Sequence, residues 1–150
     1  MIRPATREDL PAIATIQSAS PESAQWRPEE YLVYDCLVAV EDGRVAGFLV
    51  SRRTAPDQRE ILNLCVDPSR RRQGVARRLL EHALASVPGE WFLEVRESNE
   101  AAFNLYKQFG FHPFGRREDY YRDPAEAAIV MKIDSWYCHG AQPVPGGRLP

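Results

Sequence analysis

The chain has 150 residues, of which 44% are hydrophobic and 27% charged, and its 19 basic and 21 acidic side chains leave a formal net charge of -2. These values are typical of one globular domain that buries a core without disulfides or metals, and they exclude a disordered chain and a general nucleic-acid-binding or membrane-binding surface. No apolar run reaches the roughly 18 residues of a membrane span, and the charged start MIRPATREDL is unlike a signal peptide. We therefore expect a cytoplasmic protein.

Hydrophobic periodicity predicts alternating strands and helices along the chain. Thr6 is expected to cap the first helix, with Asp9 near the capping-box spacing, and Asp42-Gly43 is expected to turn a hairpin. A loop after the first helix carries an isolated Trp26. The predicted elements are, in order, a strand at 2–5, helices at 6–18 and 28–35, a hairpin at 36–53, a strand at 60–66, a helix at 74–87, a strand at 91–95, a helix at 99–111, and strands at 112–117 and 127–133.

This order predicts a mixed α/β (α+β) layer in which strand–helix–strand crossovers carry parallel neighbours. The domain is expected to cover residues 1–133. Residues 134–150 are rich in Pro and Gly without periodicity, and we expect them to form a mobile tail.

The stretch DPSRRRQGVARR places three arginines between a predicted strand and a predicted helix and two more in the first turn of that helix. The first turn of a helix leaves backbone N–H groups unpaired and favours phosphate. Gly74 lets the backbone approach an anion closely, and Arg71, Arg72 and Arg77 can pair with phosphate oxygens. A solvated basic turn is the alternative. Neither a GxxxxGK[ST] P-loop nor a GxGxxG turn is present.

The same loop, Arg71-Arg72-Gln73-Gly74-Val75-Ala76, resembles the [Q/R]-x-x-G-x-[G/A] loop with which GNAT-superfamily N-acetyltransferases hold the pyrophosphate of acetyl-CoA. The opening IRPATREDLPAI and the segment LEVRESNEAAFNLYKQFGF, followed by RREDYY and AAIVMKI, look most like the RimI-like ribosomal-protein alanine N-acetyltransferases. The resemblance covers residues 1–133. It implies the GNAT fold, a central mixed, mostly antiparallel sheet of six or seven strands splayed between strands 4 and 5 and flanked by about four helices.

The resemblance also implies which residues hold acetyl-CoA, with no metal involved. Besides the loop, which includes Arg77, backbone groups of Leu64, Cys65 and Val66 would bond the pantetheine arm, and an N–H there would stabilise the tetrahedral oxyanion. Leu64 and Val66 can be core residues at the same time. Asn99 would contact the coenzyme and can also cap its helix, with capping alone as the alternative.

Glu94 stands in an otherwise apolar strand, WFLEV, and burial raises the pKa of a carboxyl group toward the range of a general base. The family has its base at this position. An edge-strand carboxylate facing water is the alternative. Tyr106 lies two helical turns after Asn99, on the same side of the helix, and the family uses its Tyr there as the acid that protonates the leaving thiolate.

The acceptor side is expected around Trp26 and around Tyr120 and Tyr121, an aromatic pair that bonds the substrate backbone in peptide-accepting relatives. At pH 7 roughly a tenth of a peptide N-terminus is neutral, against about 0.04% of a lysine, so an α-amine needs less help from a base. We therefore expect the N-terminus of a protein or peptide, such as a ribosomal protein, as acceptor. Two departures from the family pattern are Glu97, at a usually small position, and Asp119, where Asn is frequent.

Three alternatives stay open. One is a small-molecule amine as acceptor, such as an amino acid, polyamine or antibiotic, and another is a non-catalytic acyl-CoA-binding module. In the third, Cys65 is a nucleophile, although His82, His112 and His139 are scattered and form no local signature. Cys36, Cys65 and Cys138 are widely spaced without a CxxC pair, so we expect reduced thiols. The oligomeric state is expected to be a monomer or weak dimer.

Overall fold

The computed structural model describes residues 1–121 and 125–135, and side chains up to Ile133. The expected tail at 134–150 lies outside the described residues, except for the backbone of Asp134 and Ser135, which continues the last strand. None of the helices in the described part is long and apolar enough to cross a membrane.

The elements follow the predicted order. The strands are β1 (Ile2–Pro4), β2 (Asp35–Glu41), β3 (Arg44–Ala55), β4 (Gln58–Val66), β5 (Gly89–Arg96), β6 (His112–Tyr121) and β7 (Glu126–Ser135). The α-helices are α1 (Leu10–Ser18), α2 (Val75–Ser86) and α3 (Glu100–Phe109), and 3-10 turns cover Arg7–Asp9, Pro28–Val33 and Pro68–Arg70. The predicted helix at 6–18 thus begins with a 3-10 turn before it becomes α-helical. The predicted helix at 28–35 is 3-10 throughout.

The strands form a seven-stranded sheet in the order β1-β2-β3-β4-β5-β7-β6. The pairs β1–β2, β2–β3, β5–β7 and β6–β7 are antiparallel, as predicted for a mostly antiparallel sheet. By its contacts the chain divides into two compact units, Met1–Arg52 with Ile61–Ala83, and Arg53–Glu60 with the chain from Leu84 onward.

The first unit is organised by local signals that the sequence carries. The Asp9 carboxylate accepts the Thr6 N–H at 2.8 Å, which confirms the acidic half of the predicted capping box, and also pairs with both Nη atoms of Arg3 at 2.8 and 3.0 Å. Asp42 and Gly43 have φ of 54° and 74°, as a tight hairpin turn with two left-handed residues requires. The core lies between α1 and the sheet and includes Ile13, Ile16, Tyr31, Val38, Phe48 and Val50.

In the second unit, buried and partly buried residues alternate along β5, as expected for a strand with one face against the core. Trp91, Leu93 and Val95 of β5 are buried, while the residues between them are only partly buried. Gly110 ends α3 at φ 105°, which confirms the predicted C-cap. The prediction for β6 was wrong in length: the strand continues past Arg117 to Tyr121, with a break in register between these two residues.

Candidate active site

The basic loop connects the end of β4 to the start of α2. Asp67 accepts the Ser69 N–H at 3.0 Å and begins a 3-10 turn, and Arg78 N–H donates to the Gly74 carbonyl at 3.0 Å, the first hydrogen bond of α2. The N–H groups of the first helical turn therefore have no helical partner. Arg72 and Gly74 have φ of 64° and 81°. Left-handed backbone at a non-glycine residue is strained, and such strain is frequent in ligand-binding loops.

The five arginines of the loop are not equivalent. Arg70 pairs with Glu41 and Asp42 at 3.5 and 3.1 Å, and Arg78 pairs with the same Glu41, so both are bound to the β2–β3 turn. Two others are exposed, namely Arg72 and Arg77, and Arg72 has no ion pair or hydrogen bond within the described chain. The arginines that the structure leaves most accessible to a phosphate thus belong to the set predicted from the motif.

Arg71 has a different environment from the other arginines. Its Nη2 donates to Ser20 Oγ at 3.0 Å and lies 3.7 Å from Glu22 Oε1. Both partners belong to the loop that follows α1. Arg71 therefore joins the basic loop to the loop that carries Trp26.

Gly47 of β3 is a contributor that the sequence analysis missed. A Cβ atom at this position would lie 2.8 Å from the Cys65 carbonyl oxygen and 3.0 Å from Val75 Cγ1. Only glycine allows β3 to pass this close to the end of β4 and the start of α2. The sequence signal is the isolated glycine within a strand pattern, which indicates a bulge or a close backbone approach, and the pairing of β2 with β3 shifts register at this point.

The end of β4 contains the residues predicted to face the pantetheine arm. Leu64 and Val66 are half-buried and Cys65 is buried. Burial raises the pKa of the Cys65 thiol to about 11, and its Sγ donates to Asn63 Oδ1 at 3.4 Å. A buried, protonated thiol is a poor nucleophile, so these observations argue against the cysteine-nucleophile alternative.

Trp26 is not the isolated aromatic residue that the sequence suggested. Its ring lies 6.2 Å from Tyr34 in an edge-on arrangement and 6.4 Å from Tyr31, and it packs against the core of the first unit while staying half-exposed. Its carbonyl oxygen accepts a hydrogen bond from Gln17 Nε2 at 2.6 Å. The loop at Trp26 is therefore held by both its ring and its backbone.

Glu94 lies in β5 with a side chain that is only 9% exposed. Its Oε2 is 2.6 Å from Arg117 Nε, but the two atoms are not aligned as a hydrogen bond, and Oε2 has no hydrogen-bond donor among the described residues. A buried carboxylate oxygen that is paired with a cation but has no aligned donor is uncommon, and a catalytic role is one explanation for it. The water-facing alternative for this residue is wrong.

The aromatic pair of β6 surrounds Glu94. Tyr121 donates its hydroxyl to the Glu94 carbonyl at 3.3 Å, and burial raises the pKa of Tyr121 to about 12. Burial and a hydrogen bond to the Glu94 carboxylate also raise the pKa of Tyr120. Both phenols therefore stay protonated at neutral pH and can donate hydrogen bonds. Tyr120 is 44% exposed, which leaves it open to an incoming acceptor.

A break in strand register brings these tyrosines to Glu94. The pairing of β6 with β7 is interrupted between Arg117 and Tyr121, and Asp119, inside the interruption, has φ of 51°. Asn and Asp are the non-glycine residues that tolerate this conformation best. Asp119 can therefore adopt the same left-handed backbone conformation as the Asn that is frequent at this position in the family pattern. Glu97, the other departure, is exposed and pairs with Arg116 at 3.1 Å.

The remaining two predicted residues belong to α3. Asn99 caps the helix, since its Oδ1 accepts the Ala102 N–H at 3.2 Å, so its capping role is confirmed and its contact with the coenzyme stays a prediction. Tyr106 is buried and packs edge-on against Phe111 with ring centroids 5.6 Å apart. The second unit therefore brings Glu94 together with Tyr120 and Tyr121, whereas the basic loop, the end of β4 and Trp26 belong to the first unit.

Comparison with known proteins decides the family. Residues 3–111 match the Acetyltransferase (GNAT) family. The chain belongs to the GNAT acetyltransferases. It is 35% identical over 138 residues to the ribosomal protein bS18-alanine N-acetyltransferase of Escherichia coli strain K12, covering 83% of this chain and 90% of that protein. The N-alpha-acetyltransferase RimI of Mycobacterium tuberculosis strain H37Rv is 39% identical over 97 residues, which are 62% of this chain and 61% of that one.

A solved structure agrees with these relatives. The crystal structure of the ribosomal-protein-S18-alanine N-acetyltransferase from Escherichia coli matches this GNAT chain with a TM-score of 0.77 and 30% identity, over 90% of this chain and 93% of that chain. The predicted family, fold and enzyme class are thus confirmed: this GNAT protein is an acetyl-CoA-dependent N-acetyltransferase. The start of α2 presents unpaired N–H groups behind Gly74, whose φ is positive, and this arrangement is compatible with the pyrophosphate of that cosubstrate.

The sequence analysis missed several polar residues that lie beside the predicted ones. Asn63 of β4 is 6% exposed and interrupts the apolar strand EILNLCV just as Glu94 interrupts WFLEV, whereas Glu60, 8% exposed, begins that strand. The signal that identified Glu94 was therefore present for Asn63. Gln17 of α1 is also buried, and Arg117 is exposed beside Glu94; neither had a signal in the sequence.

Proposed function

We propose that this acetyltransferase acetylates the N-terminal α-amine of a protein or peptide by direct attack of the amine on acetyl-CoA. The observation that carries this proposal is the buried Glu94 carboxylate with Tyr120 and Tyr121 beside it on β6. A carboxylate with an undonated oxygen can accept a proton, and protonated phenols can bond the backbone of an extended peptide. The relatives named for alanine N-acetylation support the same acceptor.

A cavity in the second unit also supports a peptide acceptor. It measures about 400 Å³ and is lined by Phe92, Phe114, Val130 and Arg117 among others. Arg117 pairs with Glu94, so the cavity begins beside the proposed base. It offers room for side chains that follow the reacting N-terminus, which a single small amine does not need.

The proposed roles follow the needs of the reaction. Glu94 takes the proton of the acceptor as the amine nitrogen attacks the thioester carbonyl, either directly or through a water. Tyr106 donates a proton to the sulfur as the C–S bond breaks. The loop Arg71–Ala76, with Arg77, binds the pyrophosphate, and Asn99 contacts the coenzyme next to the helix it caps. Leu64 N–H already donates to Asn63 Oδ1 at 3.0 Å, so the oxyanion donor in this proposal comes from Cys65 or Val66.

A matched set of acceptors tests the proposal. The purified protein is given acetyl-CoA with a peptide whose N-terminus is free, with the same peptide acetylated at its N-terminus but carrying a lysine, and with free amino acids and polyamines. Thiol release should depend on the free α-amine of a peptide. Preferential acetylation of a free amino acid or polyamine would replace this proposal with the small-molecule one, and no turnover with any amine would favour a non-catalytic module.

We further propose that the acceptor is a ribosomal protein and that the enzyme works as a monomer or weak dimer in the cytoplasm. Mass spectrometry of ribosomal proteins after incubation with enzyme and acetyl-CoA tests the first point. Sedimentation of the enzyme over a range of concentrations tests the second.

A further inference from the structure

A group of buried polar side chains lies beneath the loop that carries Trp26. It consists of Gln17, Tyr31 and Asn63, all at most 6% exposed, and none of them belongs to the acetyl-transfer roles described above. Burying three polar side chains together is costly unless each finds partners. Their hydrogen bonds therefore show what the group holds in place.

The group holds the backbone of residues 20–27, which we name the acceptor loop. Asn63 Nδ2 donates to the Ala24 carbonyl at 2.9 Å and to the Tyr31 hydroxyl at 2.9 Å. The Tyr31 hydroxyl donates to Gln17 Oε1, and Gln17 Nε2 donates to the Trp26 carbonyl. Asn63 of β4 thus fixes the acceptor loop at Ala24, which is 39 residues away in the sequence. Gln17 of α1 fixes it at Trp26, which is 9 residues away.

The other side of the Asn63 amide faces its own strand. Its Oδ1 accepts the Leu64 N–H at 3.0 Å and the Cys65 thiol at 3.4 Å. The amide therefore uses its donor side for the acceptor loop and its acceptor side for the strand assigned to the pantetheine arm. The orientation is determined by these partners, since the reverse one would place Oδ1 against the Ala24 carbonyl.

A further side chain fixes the acceptor loop from within. Gln25 Nε2 donates to the carbonyls of Ser20 and Ser23 at 3.0 and 3.1 Å, although Gln25 is itself exposed. Four backbone carbonyls of a loop without regular structure are thus bonded by side-chain amides. Such bonds remove the conformational freedom that a loop otherwise has.

We propose that Asn63 is a positioning residue that holds the acceptor loop in register with the end of β4, so that the loop is ready for the peptide acceptor. The proposal rests on the proposed function, because it takes the loop at Trp26 as part of the acceptor site. A positioned loop lowers the KM for the acceptor, since the ordering cost is met before binding.

The test compares Asn63→Asp, Gln25→Ala and Val38→Ala. Asn63→Asp keeps the shape and the acceptor atom for Leu64 N–H but removes the donor to Ala24 and Tyr31. Gln25→Ala loosens the loop from an exposed position and leaves β4 intact. Val38→Ala removes core volume from the cluster against which Trp26 packs but removes no hydrogen bond to the loop, and so controls for lost packing and stability.

The KM for a peptide acceptor should rise by about tenfold in Asn63→Asp and by a few-fold in Gln25→Ala, with kcat and the acetyl-CoA Kd changed less than about twofold. Amide hydrogen exchange of residues 20–27 should speed up in both. Val38→Ala should keep the wild-type KM. An unchanged KM and unchanged amide exchange in Gln25→Ala would overturn the positioning role, and so would a rise of KM in Val38→Ala as large as that in Gln25→Ala. Both outcomes can be read even if Asn63→Asp fails to fold. Absence of peptide acetylation by the wild type would instead overturn the proposed function.

Discussion

Arg117 holds the carboxylate of Glu94 in an ion pair of 2.6 Å, although its own side chain is 60% exposed and that of Glu94 only 9%. The guanidinium is therefore the mobile partner, because an exposed arginine loses little when it moves into water. The guanidinium lies against the carboxylate that the amine of an acceptor must approach in the proposed reaction. We infer that Arg117 competes with the acceptor for the Glu94 carboxylate.

Replacing Arg117 tests this competition. Arg117→Gln should lower the KM for a peptide acceptor about two- to five-fold with little change of kcat, since the acceptor no longer displaces a cation. Arg116→Gln is the matched control, because Arg116 pairs with Glu97 and Glu118 and not with Glu94. Steady-state kinetics of both variants decide. A raised KM in Arg117→Gln would mean that Arg117 binds the acceptor and does not compete with it.

The proposed phosphate binding by the basic loop can be tested with two pairs of arginine substitutions. Arg72→Ala with Arg77→Ala should weaken acetyl-CoA binding several-fold and reduce its salt dependence, because charge-assisted contacts to phosphate are lost. Arg70→Ala with Arg78→Ala removes the same charge from residues bound to the β2–β3 turn and should leave the affinity close to that of the wild type. Calorimetric titration at two salt concentrations measures both. Equal losses in the two pairs would show that only the summed charge of the loop matters.

The register break of β6 predicts which side chains position 119 accepts. Asp119→Asn and Asp119→Gly should retain folding and activity, because both residues tolerate φ near 51°. Asp119→Val should cost about 1–2 kcal/mol of unfolding free energy and raise the acceptor KM, since a β-branched residue is strained there. Thermal unfolding and kinetics of the three variants compare these effects. A fully active Asp119→Val would show that the break does not position the tyrosines.

Asp9 should make the stability of the enzyme dependent on pH. Its hydrogen bonds to Arg3 hold the pKa of the Asp9 carboxyl below its ordinary value of 3.8, although burial opposes this. The unfolded chain therefore takes up this proton first as the pH falls. The stabilisation is fully present well above pH 3.8 and is lost as the pH falls through the lower pKa of the folded chain.

Asp9→Asn should accordingly cost about 2 kcal/mol at pH 7, the usual size of a hydrogen bond to a charged partner. The deficit should shrink between about pH 5 and pH 2, because the wild type loses the same interaction there. Denaturant unfolding at several pH values gives both quantities. A deficit that stays constant down to pH 2 would contradict the role of the Asp9 charge.

Local signals made much of this fold predictable from the sequence. The cap at Thr6, the Asp42-Gly43 turn and the glycine at the end of α3 depend on neighbours within a few residues, and the structure has all three. The basic loop and the polar interruption at Glu94 were visible for the same reason. The family resemblance then supplied their chemistry.

What the sequence could not predict depends on partners far away in the chain. Asn63 interrupts its strand as clearly as Glu94 does, but its role follows from the Ala24 carbonyl, 39 residues earlier. The five arginines of the loop look alike in the sequence, and only the turn at Glu41, 37 residues before Arg78, separates the structural ones from the accessible ones. The break in β6 likewise follows from pairing with β7.

If Glu94 is the base and Tyr106 the acid of acetyl transfer, kcat measured against pH with an N-terminal peptide acceptor should show a different change for each side chain. Glu94→Gln should lower kcat by roughly 10²-fold, and the deficit should shrink as the pH rises through the α-amine's pKa of about 8, because the amine then reaches the site already neutral. Tyr106→Phe should also lower kcat, but without rescue at high pH, since the leaving thiolate still lacks its proton donor. If both variants had pH profiles like that of the wild type, the roles of Glu94 as base and Tyr106 as acid would be wrong, because the reaction would then proceed without either side chain.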